Sequence, residues 1–333
     1  MPKDFSGSTV LITGADGFIG SHLTELLVSR GAKVTALVLY NSWNEIGWLK
    51  DIPSQILREV DLQVGDIRDA ERIRALAAGK QYVFHLSSLI AIPYSYLAPR
   101  SYVDTNIIGA TNVLEACRAS DSLDRLVHVS TSEVYGTAQF VPISEEHPLV
   151  GQSPYSASKI AADKMAESYH LSFELPLVIA RPFNTYGPRQ SARAVIPTIA
   201  SQIAAGKTRL SMGSVTPSRD FNYASDTALG MCALALSDAA MGETINIGSG
   251  EEHTIAKVVE ILSGIAGVQV HIEQDPERIR PAKSEVDRLL CDNSKITGMT
   301  DWRPQVSFAD GLARTYEWIC RNLQHFDVDR YSR

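Results

Sequence analysis

Three residues that could do chemistry follow one strand-like run, because "RLVHVS" leads directly into Thr131, Ser132 and Glu133. Further along, Tyr155 and Lys159 have a YxxxK spacing, which places both side chains on one face of a helix. A phenol with a pKa of about 10 is a poor base at neutral pH, but a nearby ammonium favours the phenolate. The pattern therefore predicts that Tyr155 accepts a proton from a sugar or alcohol hydroxyl, with Thr131 bound to the same oxygen. The alternative interpretation of YxxxK is an ordinary exposed pair on a helix.

A glycine-rich turn in "TGADGFIG" places Gly14, Gly17 and Gly20 between the strand-like run "TVLIT" and a helix-like segment. Gly14 allows a tight turn, Gly17 leaves room for a pyrophosphate at the backbone, and Gly20 lets the helix pack closely on the strand. The N-terminus of the helix then faces the phosphates. This arrangement predicts dinucleotide binding.

The end of the second predicted strand, "LVLYNSWN", has no acid to grip the ribose 2′-hydroxyl of NAD and no arginine for a 2′-phosphate. Asn41 or Ser42 could bond either group, so the sequence leaves the choice between NAD and NADP open. Asp66 in "GDIRD" has two interpretations, a cap of the following helix and a contact to the adenine.

Short apolar segments alternate with helix-like segments through the first half of the chain, from "TVLIT" to "PLVIARPFN". This alternation predicts a parallel sheet with helices on both faces, a Rossmann-type doubly wound α/β fold. We expect residues 1–184 to form the dinucleotide-binding domain. Beyond about residue 185 proline and glycine become frequent, which predicts shorter helices and a smaller C-terminal substrate-binding lobe. This lobe would cover residues 185–333, with some segments returning to the first domain.

The composition is that of an ordinary globular protein of 333 residues, with 44% hydrophobic residues and a net charge of −7. The acidic balance argues against a nucleic-acid partner. The four cysteines form no CxxC pair and the eight histidines form no HExxH motif, so we expect neither a disulfide framework nor a metal site. No apolar run has the length of a signal peptide or a membrane span, which predicts a cytoplasmic protein.

Taken together, these motifs resemble the extended short-chain dehydrogenase/reductases, the NAD-dependent epimerase/dehydratase family that acts on nucleotide sugars. TGxxGxxG, the threonine after the fifth strand and YxxxK carry the resemblance, and "RPFNTYGPR", "RDFNY" and "NIGSG" extend it over nearly the whole chain. The resemblance implies an NAD cofactor and a nucleotide-sugar substrate. The expected substrate contacts are Pro93, Tyr94, Asn184, Arg193, Arg219 and a late arginine, Arg280 or Arg278. For Pro93 and Tyr94 the alternative is packing at the interface of the two lobes.

The expected cofactor contacts lie in the glycine loop, at the ends of the following strands and in the YxxxK pair. They are Gly14, Asp16, Gly17, Phe18, Ile19, Gly20, Asn41, Ser42, Asp66, Ile67, Leu86, Ser87, Ser88, Tyr155, Lys159 and Pro182.

The resemblance also implies a role for Glu133. Family members that eliminate water from a 4-keto sugar carry an acid after the threonine, and this acid takes the C5 proton. The dTDP-glucose 4,6-dehydratases have Thr-Asp-Glu, in which the aspartic acid protonates the leaving C6 hydroxyl, whereas this chain has Ser132 at that position. Either Glu133 returns its captured proton to the C6 hydroxyl, or a water relayed by Ser132 supplies one. UDP-glucuronate decarboxylases also carry Thr-Ser-Glu, so the motif alone does not separate the two reactions.

Longer stretches, such as "IAIPYSYLAPRSYVDTN" and "RIRPAKSEVDRLLCDNSK", look most like the 4,6-dehydratases of the legionaminic-acid pathway. We therefore expect a 4,6-dehydratase that acts on UDP- or GDP-N-acetylglucosamine. Its catalytic residues would be Thr131, Ser132, Glu133, Tyr155 and Lys159.

Two other enzymes stay open as alternatives, a 4-epimerase and a UDP-glucuronate decarboxylase. The decarboxylase would need a pocket arginine for the substrate carboxylate, and Arg189, Arg193 and Arg280 are candidates. The non-enzyme alternative is a cofactor-sensing protein without turnover, and the complete catalytic set argues against it.

The helices "SYVDTNIIGATNVLEACRAS" and "PYSASKIAADKMAESYHLS" correspond to the pair that forms a four-helix dimer interface in this family, which implies a homodimer. Val103, Ile107, Ala110 and Leu114 have helical spacing, and the alternative is that they form core within one chain.

Overall fold

The computed structural model describes residues 4–275, 278 and 286–329 of the chain. Its strands are β1 (Thr9–Thr13), β2 (Lys33–Leu39), β3 (Asp61–Gly65), β4 (Tyr82–His85), β5 (Arg125–Val129), β6 (Leu177–Pro182), β7 (Asn184–Tyr186), β8 (Arg209–Met212), β9 (Ser218–Tyr223), β10 (Thr244–Ile247), β11 (Glu252–Thr254), β12 (His271–Gln274) and β13 (Arg288–Leu289). Its α-helices are α1 (Phe18–Ser29), α2 (Ser54–Leu57), α3 (Ala70–Ala77), α4 (Ile92–Leu97), α5 (Pro99–Tyr102), α6 (Gly109–Arg118), α7 (Pro154–Phe173), α8 (Val195–Ala204), α9 (Ala224–Leu236), α10 (Ile255–Ala266), α11 (Ser294–Met299) and α12 (Phe308–Arg321). Short 3-10 turns occupy Gly47–Asp51, Ser132–Tyr135, Asp238–Ala240 and Leu323–His325.

Seven parallel strands form the main sheet, in the order β10-β6-β5-β4-β1-β2-β3. β1 pairs with β2 on one side and with β4 on the other, so the direction of winding reverses between β1 and β4. Ligands of such sheets bind at this switch point, outside the carboxyl ends of the strands. β4 and β5 are buried along their whole length, which explains their short, mostly apolar sequences. The predicted Rossmann-type doubly wound fold is confirmed.

Helices cover both faces of the main sheet. On one face α1 packs against α9, over a core that includes Leu23, Leu27 and Met231. On the other face α3, α6 and α7 pack over a second core that includes Ile73 and Leu114. Each fully buried aliphatic side chain contributes about 1.5–3 kcal/mol, so the two layers hold the carboxyl ends of the strands in fixed positions.

The C-terminal part of the chain has its own core, formed where α8, α10 and α12 pack together. β9 pairs with β7, β11 and β13, while β8 pairs with β12. β10 lies beside β6 in the main sheet. The expectation of shorter helices is wrong, since α9, α10 and α12 have 13, 12 and 14 residues. Glycine also serves close packing inside these helices: a Cβ on Gly311 would overlap the Tyr186 hydroxyl.

The single helix predicted for residues 101–120 is divided. A π-helical turn, Val103–Ile108, separates α5 from α6. Asn106 in this turn accepts a hydrogen bond from Leu89 N at 2.8 Å and donates to the Leu89 carbonyl at 3.0 Å. It also donates to Ser158 Oγ at 2.9 Å. The widened turn therefore ties the loop after β4 to α7, and such turns are frequent at functional sites.

No helix within residues 4–275, 278 and 286–329 is long and apolar enough to cross a membrane. In the same part of the chain, no group of three or more His, Cys, Asp or Glu side chains could hold a metal ion.

Candidate active site

The turn after β5 presents a hydroxyl and a carboxylate at the edge of the main sheet. The Thr131 hydroxyl accepts a hydrogen bond from Glu133 N at 3.2 Å and so caps the 3-10 turn. Ser132 is only 2% exposed, whereas Thr131 and Glu133 are partly exposed. The Glu133 carboxylate makes no hydrogen bond or ion pair with the residues that the structure describes. Among these three residues, Glu133 therefore carries an unpaired charge at the site.

The first turns of α7 hold Tyr155 and Lys159. Ser153 caps the helix reciprocally: its hydroxyl accepts from Ser156 N at 3.1 Å, and Ser153 N donates to Ser156 Oγ at 2.9 Å. Tyr155 is 7% exposed and Lys159 is 3% exposed. Lys159 Nζ donates to the carbonyl of Val129 at 2.7 Å, which anchors it at the end of β5. The two residues are therefore not an exposed surface pair.

Burial governs the charges of this pair. It raises the pKa of Tyr155 above the ordinary value, while a hydrogen bond from Thr131 acts to lower this pKa and the charge of Glu133 acts to raise it. Burial lowers the pKa of Lys159 to about 8, against the charge of Asp163, which acts to raise it. Lys159 is therefore mainly protonated at neutral pH. A positive charge close to Tyr155 favours the phenolate form of this tyrosine.

A buried carboxylate, Asp163, lies one turn beyond Lys159 on α7. Its Oδ2 accepts hydrogen bonds from Ser130 Oγ at 2.7 Å and from Arg181 Nε at 3.1 Å. His128 Nε2 lies 3.4 Å from Asp163 Oδ1. Burial acts to raise the pKa of Asp163, but its neighbours His128 and Arg181 outweigh burial and lower this pKa. Asp163 is therefore a carboxylate that supplies a fixed negative charge to the interior near Lys159.

This buried network continues towards the edge of the main sheet. Arg181 Nη1 donates to Tyr135 Oη at 3.0 Å, and the guanidinium lies 5.1 Å from the centre of the Tyr135 ring. Tyr135 Oη donates to Asn246 Oδ1 at 2.7 Å, and Asn246 N donates to Glu145 Oε1 at 2.7 Å. Continuous hydrogen bonds therefore join α7, β6 and β10, which makes the support of Tyr155 and Lys159 rigid.

A row of aromatic rings flanks Tyr155. The ring centres of Tyr155 and Tyr102 are 6.2 Å apart, and those of Tyr102 and Tyr94 are 6.3 Å apart. Burial raises the pKa of Tyr102 to about 12, and the charge of Arg193 acts against this shift. Pro93 precedes Tyr94 in the first turns of α4. Tyr94, which is predicted to contact substrate, is therefore linked to Tyr155 through Tyr102. Arg193, also predicted to contact substrate, is close enough to Tyr102 for its charge to act on the pKa of that residue.

The glycine loop has the geometry of a phosphate cradle. Gly14 has φ +71°, and a Cβ there would lie 2.8 Å from Ser87 N. A Cβ on Gly20 would overlap the Gly14 carbonyl oxygen, so α1 packs directly on the loop. Gly17 is the N-cap of α1, and no side chain caps this helix. The backbone N–H groups of its first turn are therefore available to an anionic ligand.

Other residues predicted to bind the cofactor lie in α1 or at the carboxyl ends of the strands. Phe18 and Ile19 lie in the first turn of α1, Ile67 follows β3, Leu86, Ser87 and Ser88 follow β4, and Pro182 ends β6. They thus lie at the edge of the sheet where this fold binds ligands. Lys159 Nζ also has two further N–H groups without an acceptor in the described part of the chain, which a bound ligand could satisfy.

Asn41 organises the loop that follows β2. Its Oδ1 accepts from Trp43 N at 3.1 Å and from Glu45 N at 3.0 Å. Its Nδ2 donates to the carbonyls of Leu39 at 3.1 Å and Glu45 at 2.8 Å. Of the two residues considered for the ribose, only Ser42 therefore keeps a side chain that is unbound within the described residues.

Asp66 does not cap α3. Its Oδ1 accepts from Arg68 N and Arg68 Nε, both at 2.9 Å, and this hydrogen bonding lowers its pKa. Asp69 is the N-cap of α3 and accepts from Arg72 N at 3.1 Å. The interpretation of Asp66 as the cap is wrong, because Arg68 competes for its carboxylate. The contact of Asp66 with an adenine stays a prediction.

The residues predicted to bind the substrate have different surroundings. Asn184 begins β7, and its buried Oδ1 has no donor within the described residues. Arg219 in β9 is buried, and its Nη1 donates to the Ser218 carbonyl at 2.9 Å. Arg280 lies outside the described residues. Asn184 therefore has an acceptor that a ligand could satisfy.

The arginines considered for a substrate carboxylate also differ. Arg189 Nη2 lies 2.9 Å from Glu25 Oε2 and 2.7 Å from His22 Nδ1, so Arg189 ties its loop to α1. Arg193 is exposed, and its Nε donates to Ser191 Oγ at 3.2 Å. Arg193 is therefore the more available of the two.

Three residues that shape the site are not predicted from the sequence: Tyr102, Asn106 and Asp163. For Asp163 a signal existed, because "YSASKIAAD" continues the one-face spacing of Tyr155 and Lys159 by another turn.

The chain is similar to known proteins over most of its length. The family model of GDP-mannose 4,6 dehydratase matches residues 11–315. A dTDP-glucose 4,6-dehydratase from Actinoplanes sp. is 32% identical over 94% of this chain and 98% of its own length. A UDP-glucose 4-epimerase from Mycolicibacterium smegmatis is 30% identical over 94% of this chain and 99% of its own length. The UDP-glucuronic acid decarboxylase 1 of Danio rerio is 28% identical over 97% of this chain and 75% of its own length.

Solved structures show the same relationship. A double mutant of dTDP-glucose 4,6-dehydratase from Streptomyces venezuelae, with NAD and DAU bound, has a TM-score of 0.81 and 30% identity, covering 94% of this chain and 97% of that chain. A UDP-N-acetylglucosamine 4-epimerase from Methanobrevibacter ruminantium, in complex with UDP-N-acetylmuramic acid, has a TM-score of 0.85 and 29% identity, covering 95% of this chain and 99% of that chain. The chain therefore belongs to the GDP-mannose 4,6 dehydratase family, within the NAD-dependent epimerase/dehydratase group of extended short-chain dehydrogenase/reductases.

Proposed function

We propose that this protein is an NAD-dependent 4,6-dehydratase that acts on UDP- or GDP-linked N-acetylglucosamine. The observation that carries the proposal is the unpaired carboxylate of Glu133 beside Tyr155. Its charge acts to raise the pKa of Tyr155, which opposes formation of the phenolate that takes the first proton. A 4-epimerase has no second proton to remove from carbon, whereas the elimination of water needs a second base.

The glycine cradle supports NAD as the cofactor. Gly14, Gly17 and the first turn of α1 would hold the pyrophosphate, and Lys159 has N–H groups to offer. The Streptomyces dehydratase, a relative with the same fold, carries NAD in its structure. When bound, NAD supplies a hydride acceptor for the oxidation of the sugar at C4 and a hydride donor for the reduction at C6.

Oxidation at C4 depends on Tyr155, Thr131 and Lys159. Tyr155 takes the proton of the 4-hydroxyl, and Thr131 hydrogen-bonds the same oxygen. Lys159, anchored on Val129 and mainly protonated at neutral pH, stabilises the Tyr155 phenolate.

Elimination depends on Glu133. The C4 ketone acidifies the C5 proton, which Glu133 takes. We assign the protonation of the leaving C6 hydroxyl to Glu133 as well, because Ser132 is only 2% exposed. The C6–O bond then breaks, water leaves, and a double bond forms between C5 and C6. When a hydride adds to C6, C5 takes up the proton that Tyr155 had accepted. The product is a 4-keto-6-deoxy sugar.

The substrate assignment rests on three supports. The long stretches of the chain resemble dehydratases of N-acetylglucosamine nucleotides, and the Methanobrevibacter relative is an epimerase of UDP-N-acetylglucosamine. Asn184 offers an unpartnered oxygen that can accept a hydrogen bond from a sugar hydroxyl or an acetamido N–H. Tyr94, aligned with Tyr102 and Tyr155, would cover the sugar.

A UDP-glucuronate decarboxylase is the second candidate, and Arg193 favours it. This exposed guanidinium lies near Tyr102, and a substrate carboxylate needs a cation close to the catalytic tyrosine. The decarboxylase would use the same oxidation at C4 and would release carbon dioxide in place of water.

We also propose a homodimer formed by the helices at residues 99–118 and 154–173. Ala110 and Leu114 are buried within one chain. Val103 and Ile108 are 40% and 48% exposed, and Leu171 at the end of α7 is 74% exposed. A four-helix interface would cover such side chains.

Mass spectrometry of the purified protein with three substrates tests the proposal. UDP-N-acetylglucosamine, GDP-N-acetylglucosamine and UDP-glucuronate are incubated separately, with Tyr155→Phe as the inactive control. We expect the loss of one water from one of the acetamido sugars. Loss of carbon dioxide from the glucuronate would establish the decarboxylase, and no change of mass in any sample would overturn both assignments.

A further inference from the structure

Asp16, an acid of the glycine loop, lies at the end of β2, where the strand itself has no acidic residue. β2 ends at Leu39, and the next three residues are neither acidic nor basic. Asp16 Oδ2 accepts a hydrogen bond from Leu39 N at 3.1 Å. Asp16 Oδ1 makes no hydrogen bond with any other residue that the structure describes. A free carboxylate oxygen is therefore placed where dinucleotide folds read the ribose 2′ position.

The position of Asp16 is fixed by the segment that follows β2. Trp48 N donates to the Asp16 carbonyl at 2.9 Å. Gly47 has φ +56°, and a Cβ there would lie 2.9 Å from Asp16 Cβ. Burial raises the pKa of Asp16, and the hydrogen bond from Leu39 opposes this shift. Because its site is partly dry, the charge of Asp16 is less screened by water than that of an exposed carboxylate.

Cations in the neighbouring segments are already paired. Arg68 binds Asp66, with Nη2 2.5 Å from Oδ2, and Lys50 lies 3.5 Å from Glu45. A 2′-phosphate is usually held by an arginine near the end of β2. Neither cation is therefore free to balance a phosphate beside Asp16.

We propose that Asp16 makes the protein selective for NAD over NADP. Its free oxygen accepts a hydrogen bond from the 2′-hydroxyl of the adenosine ribose, and its charge repels a 2′-phosphate. The inference rests on the proposed use of a nicotinamide dinucleotide. In this proposal a residue of the glycine loop binds the ribose 2′-hydroxyl, which an acid at the end of β2 usually does.

Calorimetric titration of cofactor-free protein with NAD and with NADP tests the assignment. We expect the wild type to bind NAD more tightly by at least about 100-fold, since the carboxylate repels a 2′-phosphate placed beside it. Asp16→Asn keeps the shape and removes the charge, so its preference for NAD should fall at least about tenfold, mainly through tighter NADP binding. Asp121→Asn is the matched control, because it removes the same charge from an exposed residue that precedes β5, at the edge of the sheet opposite the glycine loop. Its preference should stay at the wild-type value. Thermal unfolding verifies that both variants fold.

Equal affinity of the wild type for NAD and NADP would overturn the inference, and so would an unchanged preference in folded Asp16→Asn. An equal loss of preference in Asp121→Asn would overturn it as well, because the effect would then follow from net charge and not from the position of Asp16. These results leave the proposed reaction standing if the wild type still converts its sugar nucleotide. Binding of neither dinucleotide would refute both the inference and the proposed function.

Discussion

Glu133→Gln should separate the two halves of the proposed reaction, because it keeps the size of the side chain and removes its charge. The charge of Glu133 acts to raise the pKa of Tyr155, so the variant should oxidise C4 at least as fast as the wild type. Glu133 is also assigned as the base for the C5 proton, and a lost general base costs about 10²–10⁴-fold in rate. Elimination should therefore slow by this factor, a rise of about 3–5 kcal/mol in its activation free energy.

A single-turnover experiment measures both halves. Absorbance follows the reduced cofactor, and mass spectrometry of quenched samples follows the loss of water. In Glu133→Gln the reduced cofactor should accumulate while the sugar keeps its C6 oxygen. Ser132→Ala is the control, and it should eliminate water at nearly the wild-type rate because Ser132 is buried. Normal product formation by Glu133→Gln, or the loss of cofactor reduction together with elimination, would refute the assignment of Glu133.

Three further predictions concern the cradle, the interior and the dimer. Gly20→Ala should lower the free energy of unfolding by about 1–3 kcal/mol and weaken NAD binding, because the new Cβ meets the backbone of Gly14. Gly264 has open space around it, so Gly264→Ala is the control and should be neutral or stabilising in the same thermal and binding assays. Burial holds the pKa of His85 well below its ordinary value. As the pH falls below about 6.5, only the unfolded chain therefore binds a proton at the His85 imidazole. Stability should then drop by about 1.4 kcal/mol per pH unit, and denaturant titrations at several pH values should show a flatter dependence in His85→Gln; equal slopes would contradict this. Ile108→Glu should convert a dimer to monomers in light-scattering measurements, and an unchanged mass would refute the proposed interface.

Features that depend on neighbours in sequence could be predicted from the chain itself. The glycine loop, the parallel sheet and the one-face spacing of Tyr155 and Lys159 are local patterns, and the structure has each of them. The error over Asp66 was also local, since Arg68 binds its carboxylate and Asp69 caps the helix instead. The spacing of Asp66 and Asp69 in the sequence does not show which of them caps α3.

Features that depend on distant contacts could not be predicted in this way. Asp163 is an ordinary polar residue of a helix until β6 brings Arg181 within 3.0 Å of it. Asn106 acquires its role because the loop at Leu89 comes back to the widened turn. Asp16 could be expected near a cofactor, but its contact with the end of β2 follows only from the fold of the loop after that strand.

The fate of the C4 hydrogen is the most direct test of the proposed 4,6-dehydratase reaction. The substrate is UDP- or GDP-N-acetylglucosamine that carries deuterium at C4, and the product is examined by NMR. A 4,6-dehydratase transfers this hydrogen within the site, so we expect deuterium in the new methyl group at C6. Deuterium found again at C4, in a product that still carries its 6-hydroxyl, would contradict the proposed reaction, because an epimerase returns the hydride to the carbon it came from.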